Sequence, residues 1–342
     1  MNIYVGAGAT PAYSPARVKN HLLLAFVALL ALLAGNAGAD TRPMRVAYVW
    51  MFKTGPSAPY SKPFKARLGE LGWKDGQNLR FEEYDANGDP KRLASIMEEL
   101  ARTRVDVIVA MCTPEATAAR KVTTTIPIVV TAAGDLVAAG LVASYPRPGG
   151  NITGMSGILD ELSAKRVELL KSSFPKVKVA TILWNPQRPD NAVEVATIQT
   201  TARKLGLEVR SVQVRTREEL STALEMLEVD GTQALLNTGD TLISSSIAQL
   251  VTREKQLKLP AVWGERGFPE NGGLMSYGPD NVELQRGAAE YTDRILRGEK
   301  PADLPIRQPT RFELVVNQKA ARERGWQLPT SVMVMADEVI GP

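Results

Sequence analysis

Four polar residues follow the ends of short apolar runs, and their types suit the binding of charged groups. They are Thr113, Asp135, Asn185 and Asp240. A threonine that starts a helix, together with the free backbone N–H groups there, suits a carboxylate. An aspartate suits an ammonium group, for which Asp240 is favoured, and an asparagine offers both a donor and an acceptor. The alternative is that Thr113 and the two aspartates only cap their own helices or lie on the surface.

Aromatic side chains form a second group of candidates. Trp50, Phe52, Tyr60 and Trp263 lie at or just past the ends of apolar runs, and Ser57 lies in the loop near the first three. A flat apolar ligand could stack on such rings, and each ring pair is worth about 0.5–1.5 kcal/mol beyond the area that it buries. The alternative is that the rings fill space under loops, and Ser57 either hydrogen-bonds a ligand or belongs to a flexible loop.

Histidine and cysteine are almost absent, which excludes several classes of catalytic and metal site. The only histidine is His21 and the only cysteine is Cys112. A single cysteine excludes an internal disulfide and cysteine-rich metal sites. Once the N-terminal segment that contains His21 is cleaved from the chain, serine–histidine catalysis, cysteine–histidine catalysis and histidine-ligated metals are excluded as well. Glu265, Glu270 and Glu283 have no spacing that pairs them as acid and base. The sequence thus favours binding over catalysis and predicts no cofactor and no metal.

The composition is that of a globular protein without a basic patch. The chain has 342 residues, 44% of them hydrophobic and 23% charged, with a formal net charge of +4. This length suggests two domains. No run of Lys and Arg indicates a nucleic-acid partner.

The N-terminal stretch has the pattern of an export signal. Arg17 and Lys19 precede an apolar run over residues 22–33 and small residues over 34–39. This order predicts a signal peptide over residues 1–39, with cleavage after Ala39. A membrane anchor is the alternative, although the run is short for a span of about 20 residues. No cysteine stands at the cleavage site for a lipid anchor, so the predicted location is the periplasm.

Buried strands and helices alternate along the chain, and the same order occurs twice. This pattern predicts an α/β fold of two Rossmann-like lobes with parallel sheets, joined by three crossing segments. One large doubly wound sheet is the alternative. The predicted strands lie at residues 45–50, 79–84, 105–111 and 126–131, and again at 177–184, 207–214, 232–237 and 260–263.

Stretches rich in glycine and proline mark the predicted crossings between the lobes. They lie at residues 147–154, 269–273 and 301–305. Residues 44–150 and 274–300 are therefore assigned to the first lobe. Residues 151–270 and 301–342 are assigned to the second.

The residues around these crossings carry a family resemblance. The motifs are GLVAS at 140–144, RPGGNITG at 147–154, GGLMSYG at 272–278, KPADLP at 300–305, QPTRFELVVN at 308–317 and ADEVI at 336–340. Together they resemble the ABC-transporter substrate-binding proteins of the tryptophan-binding-like family. The resemblance implies a type I periplasmic-binding-protein fold, a small-molecule ligand in the cleft, a membrane permease as partner and no catalysis.

The ligand expected from this resemblance is an aromatic amino acid or another small carboxylate, bound by hinge closure of a monomer. Two alternatives stay open. One is a ligand-sensing module for a membrane kinase, which would have the same fold and cleft. The other is a two-lobe enzyme similar to a glycosyltransferase, although the sequence has no glycine-rich phosphate loop.

Overall fold

The strands form two separate layers, and the first layer is a five-stranded parallel sheet. The computed structural model describes residue 1 and residues 42–51, 60–157 and 159–341. The strand order of the first sheet is β2-β1-β3-β4-β5. Its strands are β1 Met44–Trp50, β2 Leu79–Asp85, β3 Val107–Ala110, β4 Ile128–Ala133 and β5 Ile152–Ser156.

The second layer consists of a three-stranded and a four-stranded sheet that a single bridge joins. The orders are β7-β6-β8 and β12-β11-β10-β9, and the bridge links Leu235 to Ala261. Neighbouring strands are parallel except for β10 and β11. The strands are β6 Val179–Trp184, β7 Glu208–Gln213, β8 Ala234–Asn237, β9 Val262–Trp263, β10 Met275–Pro279, β11 Phe312–Asn317 and β12 Glu338–Ile340.

Helices cover both layers. None of the helices described is both long enough and apolar enough to span a membrane. They are Ser61–Glu70, Pro90–Thr103, Thr113–Val122, Leu159–Ser173, Pro189–Lys204, Arg217–Met226, Thr241–Ser244, Ile247–Leu257, Gly267–Glu270, Asn281–Leu296, Gln318–Glu323 and Thr330–Met335, with a 3₁₀ helix at Pro301–Asp303.

Each layer has a hydrophobic core on both of its faces. In β1, Ala47 and Val49 pack into one core while Val46 and Tyr48 pack into the core on the opposite face. Successive side chains of a strand point to opposite faces, so a strand buried on both faces must be apolar throughout. This explains the continuous apolar runs and confirms the predicted α/β fold class of two lobes.

The strands correct the predicted positions of the first two crossings. β5 pairs with β4 in the first sheet, whereas the following helix, Leu159–Ser173, packs into the core of the second lobe. β10 pairs with β9 in the second lobe, but the next helix, Asn281–Leu296, packs on the first. The chain therefore crosses after Gly157 and near Asp280, later than predicted, because the glycine-rich stretches before these points lie within a lobe.

The third crossing also lies later than predicted. Leu304 and Ile306 still pack in the cores of the first lobe, and β11 begins the return to the second. The crossing thus spans residues 308–311. It is bonded to its neighbour, since the Asp280 N–H donates to the Arg311 carbonyl at 3.0 Å and the Arg311 N–H donates to the Glu283 carboxylate at 2.9 Å.

The close approach of β5 to β4 generates a prediction about Gly154. This glycine has φ of +132°, and a Cβ atom there would lie 2.2 Å from the Val130 carbonyl oxygen. We expect Gly154→Ala to lower the free energy of unfolding by about 2–4 kcal/mol, because backbone atoms have to move and the φ is strained. Chemical denaturation measures this change.

Gly150 is the matched control in the same stretch. No atom lies within 4 Å of a Cβ built there. Gly150→Ala should therefore change the free energy of unfolding by less than about 1 kcal/mol. Equal stability of the two variants would contradict the assigned pairing of β5 with β4.

Candidate ligand-binding site

A cavity lies between the two lobes, and residues after the strands of both lobes line it. The carboxyl ends of parallel strands are where open α/β sheets bind ligands. On the side of the first lobe the described lining residues include Tyr60, Met111, Cys112, Ala132, Gly134, Asn281 and Leu284. On the side of the second lobe they include Arg188, Gly239, Asp240, Thr241, Ser244, Gly264, Glu265 and Arg266.

The wall from the first lobe is mostly apolar. Met111 follows β3, Ala132 lies in β4, and Leu284 comes from the first turn of the helix Asn281–Leu296. Tyr60 precedes the helix Ser61–Glu70, and burial, together with the charge of Glu265, raises the pKa of its phenol. This wall offers a surface on which a flat apolar group can pack.

The wall from the second lobe carries one buried carboxylate, Asp240, and one half-buried carboxylate, Glu265. Asp240 follows β8, is 3% exposed, and caps the helix Thr241–Ser244 by accepting from the Leu242 N–H at 2.8 Å. Glu265 follows β9 and accepts a hydrogen bond from the Ser244 hydroxyl. Burial raises the pKa of both carboxyls, and the charge of Asp240 raises that of Glu265 further.

Arg188 connects the two walls. Its guanidinium pairs with Asp190 at 2.5 Å and lies 3.9 Å from the Asp240 carboxylate. It also donates to the Thr113 hydroxyl of the first lobe at 3.2 Å. Burial acts to lower the pKa of Arg188, but Asp190 and Asp240 outweigh it and raise the pKa. The bond to Thr113 holds the lobes together at the edge of the cavity.

A buried ion pair supports the floor of the cavity. Arg166 and Glu194 are 1% and 2% exposed, and their charged atoms are 2.7 Å apart. The Glu194 carboxylate accepts from the Gly239 N–H at 2.9 Å, and Arg166 donates to the Tyr277 carbonyl at 3.3 Å. A Cβ at Gly264 would lie 3.2 Å from the Arg166 guanidinium. The pair therefore fixes the loops after β8 and β9.

The described residues contain no group of three or more His, Cys, Asp or Glu side chains that is arranged to hold a metal ion.

Comparison with known proteins decides the family. Residues 57–340 match the family described as ABC transporter substrate binding protein. The chain belongs to this family. It is 32% identical over 285 residues to a tyrosine-binding protein of Clostridioides difficile (strain R20291), covering 83% of this chain and 81% of that protein. The predicted family is therefore confirmed, and members of this family typically act outside the cytoplasm, where a small-molecule ligand is passed to an ABC permease.

Solved structures show the same fold. An ABC domain from Streptococcus pneumonia in complex with L-Trp is 27% identical and superposes with a TM-score of 0.81. The ligand-free, open structure of a substrate-binding protein from Clostridium difficile is also 27% identical but superposes with a TM-score of 0.63. Each comparison covers 87% of this chain and 100% of the other. The chain thus superposes better on the L-Trp complex than on the open structure.

Several residues predicted from the sequence of this substrate-binding protein lie at the cavity. Tyr60 and Asp240 line it, and Thr113 contacts Arg188 at its edge. Thr113 does not have the expected role of helix cap, because Cys112 is the N-cap residue of the helix Thr113–Val122 and Thr113 is its first residue. Asn185 is not among the lining residues described, and its side chain opposes the rise that burial causes in the pKa of Asp240. Their contact with a ligand stays a prediction.

Other predicted residues lie elsewhere. Trp263 is fully buried, stacks on Phe268 with ring centroids 4.1 Å apart and donates to the Glu254 carboxylate, so the expectation that it stacks on a ligand is wrong. Asp135 accepts from the backbone N–H groups of its own turn, and Trp50 is 7% exposed in the core of the first lobe. Neither is among the lining residues described. Phe52 and Ser57 lie outside the described residues.

Three charged residues of the cavity are not singled out from the sequence as ligand contacts. They are Arg188, Glu265 and Arg266. All three lie within four residues of a strand end, since β6 ends at Trp184 and β9 ends at Trp263. The rule that ligands bind beyond strand ends would have found them, but only the fold shows that Arg188 reaches the opposite lobe.

Glu115, beneath this cavity wall, generates a prediction about pH. It is fully buried in the helix Thr113–Val122, its Oε2 atom accepts from the Cys112 N–H at 3.1 Å, and no described partner meets its Oε1 atom. Burial raises the pKa of this carboxyl to about 7, above its ordinary value of 4.5. The folded protein therefore binds this proton more tightly than the unfolded chain does.

We expect the free energy of unfolding to fall as the pH rises from about 5 to about 8, with a contribution of about 3 kcal/mol from Glu115. Glu115→Gln should flatten this dependence, because glutamine keeps the capping hydrogen bond without ionising. Denaturation curves across this pH range measure the effect. The exposed Glu98→Gln is the control and should leave the slope unchanged, whereas an unchanged slope in Glu115→Gln would contradict the assignment.

Proposed function

We propose that this substrate-binding protein captures an amino acid with an apolar, aromatic side chain by closing its lobes, and delivers it to a membrane permease. The observation that carries the proposal is the division of one cavity into an apolar wall from the first lobe and a charged wall from the second. A ligand that is apolar at one end and charged at the other needs both walls. It therefore binds the closed form best.

The electrostatics of the cavity suit such a ligand. An ammonium group meets Asp240 and Glu265, while an aromatic ring packs against Tyr60, Met111 and Leu284. A ligand shifts the balance between open and closed forms only through its differential affinity for them. Contact with both walls supplies that difference, and the bond from Arg188 to Thr113 adds to it.

Two relatives support this ligand class. One is named as a tyrosine-binding protein, and the other was crystallised with L-Trp. We extend their ligand class to this chain, with export by the signal peptide predicted over residues 1–39 and function as a monomer without chemistry on the ligand or a nucleic-acid partner. A sensor that signals to a membrane kinase would share the same cavity. A gene for a membrane permease next to the gene for this protein would favour transport over sensing.

Calorimetry against a panel of amino acids and small carboxylates tests the proposal. We expect L-tryptophan, L-tyrosine or L-phenylalanine to bind with a dissociation constant of about 1 μM or below, which corresponds to about −8 kcal/mol. L-aspartate and L-lysine are the controls and should bind at least about 100-fold more weakly, because the described residues of the first wall offer their charged side chains no group of opposite charge.

Two results would contradict the proposal. The first is an absence of binding to every aromatic amino acid in the panel. The second is turnover of a sugar nucleotide by the purified protein, which would favour the enzyme alternative.

A further inference from the structure

We propose that Glu265 and Asp240 form a subsite for a primary ammonium group, and that this group, rather than a carboxylate, decides which solutes the cavity accepts. The inference rests on the proposed function and deepens it. It predicts that aromatic amines bind and that aromatic acids without an amine do not.

The carboxylates on and behind the wall of the second lobe differ in how closely they are paired with arginine side chains. Asp190 pairs with Arg188 at 2.5 Å, and Glu194 pairs with Arg166 at 2.7 Å. Asp240 has its nearest described guanidinium nitrogen at 3.9 Å. Glu265 forms no ion pair with any Lys or Arg in the described part of the chain, and its hydrogen-bond partner there is the neutral Ser244 hydroxyl.

Of the two carboxylates, that of Glu265 has no Lys or Arg partner among the described residues, whereas that of Asp240 shares the Arg188 guanidinium with Asp190. Both carboxylates line the cavity between the lobes, and a carboxylate that is partly withdrawn from water without a close cation is unfavourable. An ammonium group carries one positive charge and three N–H donors and accepts no hydrogen bond. It therefore complements two adjacent carboxylates, whereas a second anion would be repelled.

A third acceptor lies on the same wall. The Thr241 hydroxyl oxygen is buried and has no hydrogen-bond partner among the described residues, and Thr241 lines the cavity directly after Asp240. Together with the carboxylates of Asp240 and Glu265 it offers an acceptor for each of the three N–H groups. Buried polar atoms without a partner are rare in folded proteins, which indicates that a ligand atom completes this one.

The cations that could hold a ligand carboxylate already have carboxylate partners in the protein. The guanidinium groups lining the described part of the cavity belong to Arg188 and Arg266. Arg188 is engaged by Asp190, Asp240 and the Thr113 hydroxyl. Arg266 pairs with three surface carboxylates at 2.8, 3.2 and 2.8 Å, those of Glu270, Glu313 and Glu338. A ligand carboxylate must compete with these partners, so it contributes less than the ammonium group.

Three matched compounds test the inference by calorimetry. They are L-tryptophan, tryptamine, which lacks the carboxylate, and indole-3-propionate, which lacks the amine. We expect tryptamine to bind within about tenfold of L-tryptophan and indole-3-propionate to bind at least about 100-fold more weakly. L-tyrosine, tyramine and 3-(4-hydroxyphenyl)propionate form the parallel set.

Variants connect the selectivity to the residues. Glu265→Gln should weaken the binding of the amine by about 30-fold and reduce the preference for amine over acid, because the neutral side chain no longer attracts a cation. Glu299→Gln, on the exposed surface, is the control and should leave both affinities unchanged. Thermal unfolding of each variant separates a loss of binding from a loss of folding, and the ratio of amine to acid affinity reports the subsite in any variant that folds.

The outcomes separate the two proposals. If the amino acid binds, and the acid binds as tightly as the amine, the ammonium subsite is wrong while the proposed function stands. An unchanged preference for the amine in Glu265→Gln also overturns the subsite. If none of the compounds in either set binds, the proposed function fails and the subsite fails with it.

Discussion

The ion pair between Arg166 and Glu194 is the interaction on which the cleft depends. Burial of both charges is expensive, and only good geometry with further hydrogen bonds compensates for it. Here the carboxylate also binds the Gly239 N–H, and the guanidinium binds the Tyr277 carbonyl and packs against Gly264. One pair thereby fixes the loops after β8 and β9 and the strand β10, so the wall of the second lobe has one shape.

This fixed wall explains how the lobes can divide the work of binding. With Arg166 and Arg188 committed to Glu194 and Asp190, the remaining acidic groups of the wall face the cavity. The wall from the first lobe contributes mostly apolar side chains to the same cavity. The chain passes between the lobes after Gly157, near Asp280 and at 308–311, and rotation about a few such backbone positions suffices for hinge closure.

Much of the architecture could be predicted from the sequence because strands buried on both faces must be apolar throughout, and their order with helices defines an α/β sheet. The limits of the lobes could not. Glycine and proline are typical of turns, but Gly154 lies in strand β5 of the first sheet, where only glycine allows β5 to approach β4. The pattern is the same whether a turn crosses between lobes or stays within one.

The sequence predicts where the candidate site lies, at the ends of the strands, but not which side chains there face the cavity. Strand ends indicated Asp240, and the fold places it at the cavity. Trp263 also follows from that rule, yet its ring points into the core because Phe268 and Glu254 hold it there. Pairing between distant residues, such as Arg188 with Thr113, depends on the closeness of two lobes and leaves no local pattern in the sequence.

A crystal structure of the protein with a bound aromatic amino acid tests the central claim most directly. We expect a single ligand between the lobes, with its ring against Tyr60 and Leu284 and its ammonium group within hydrogen-bonding distance of Asp240 or Glu265. A ligand that contacts one lobe alone, or that lies outside this cavity, would contradict it.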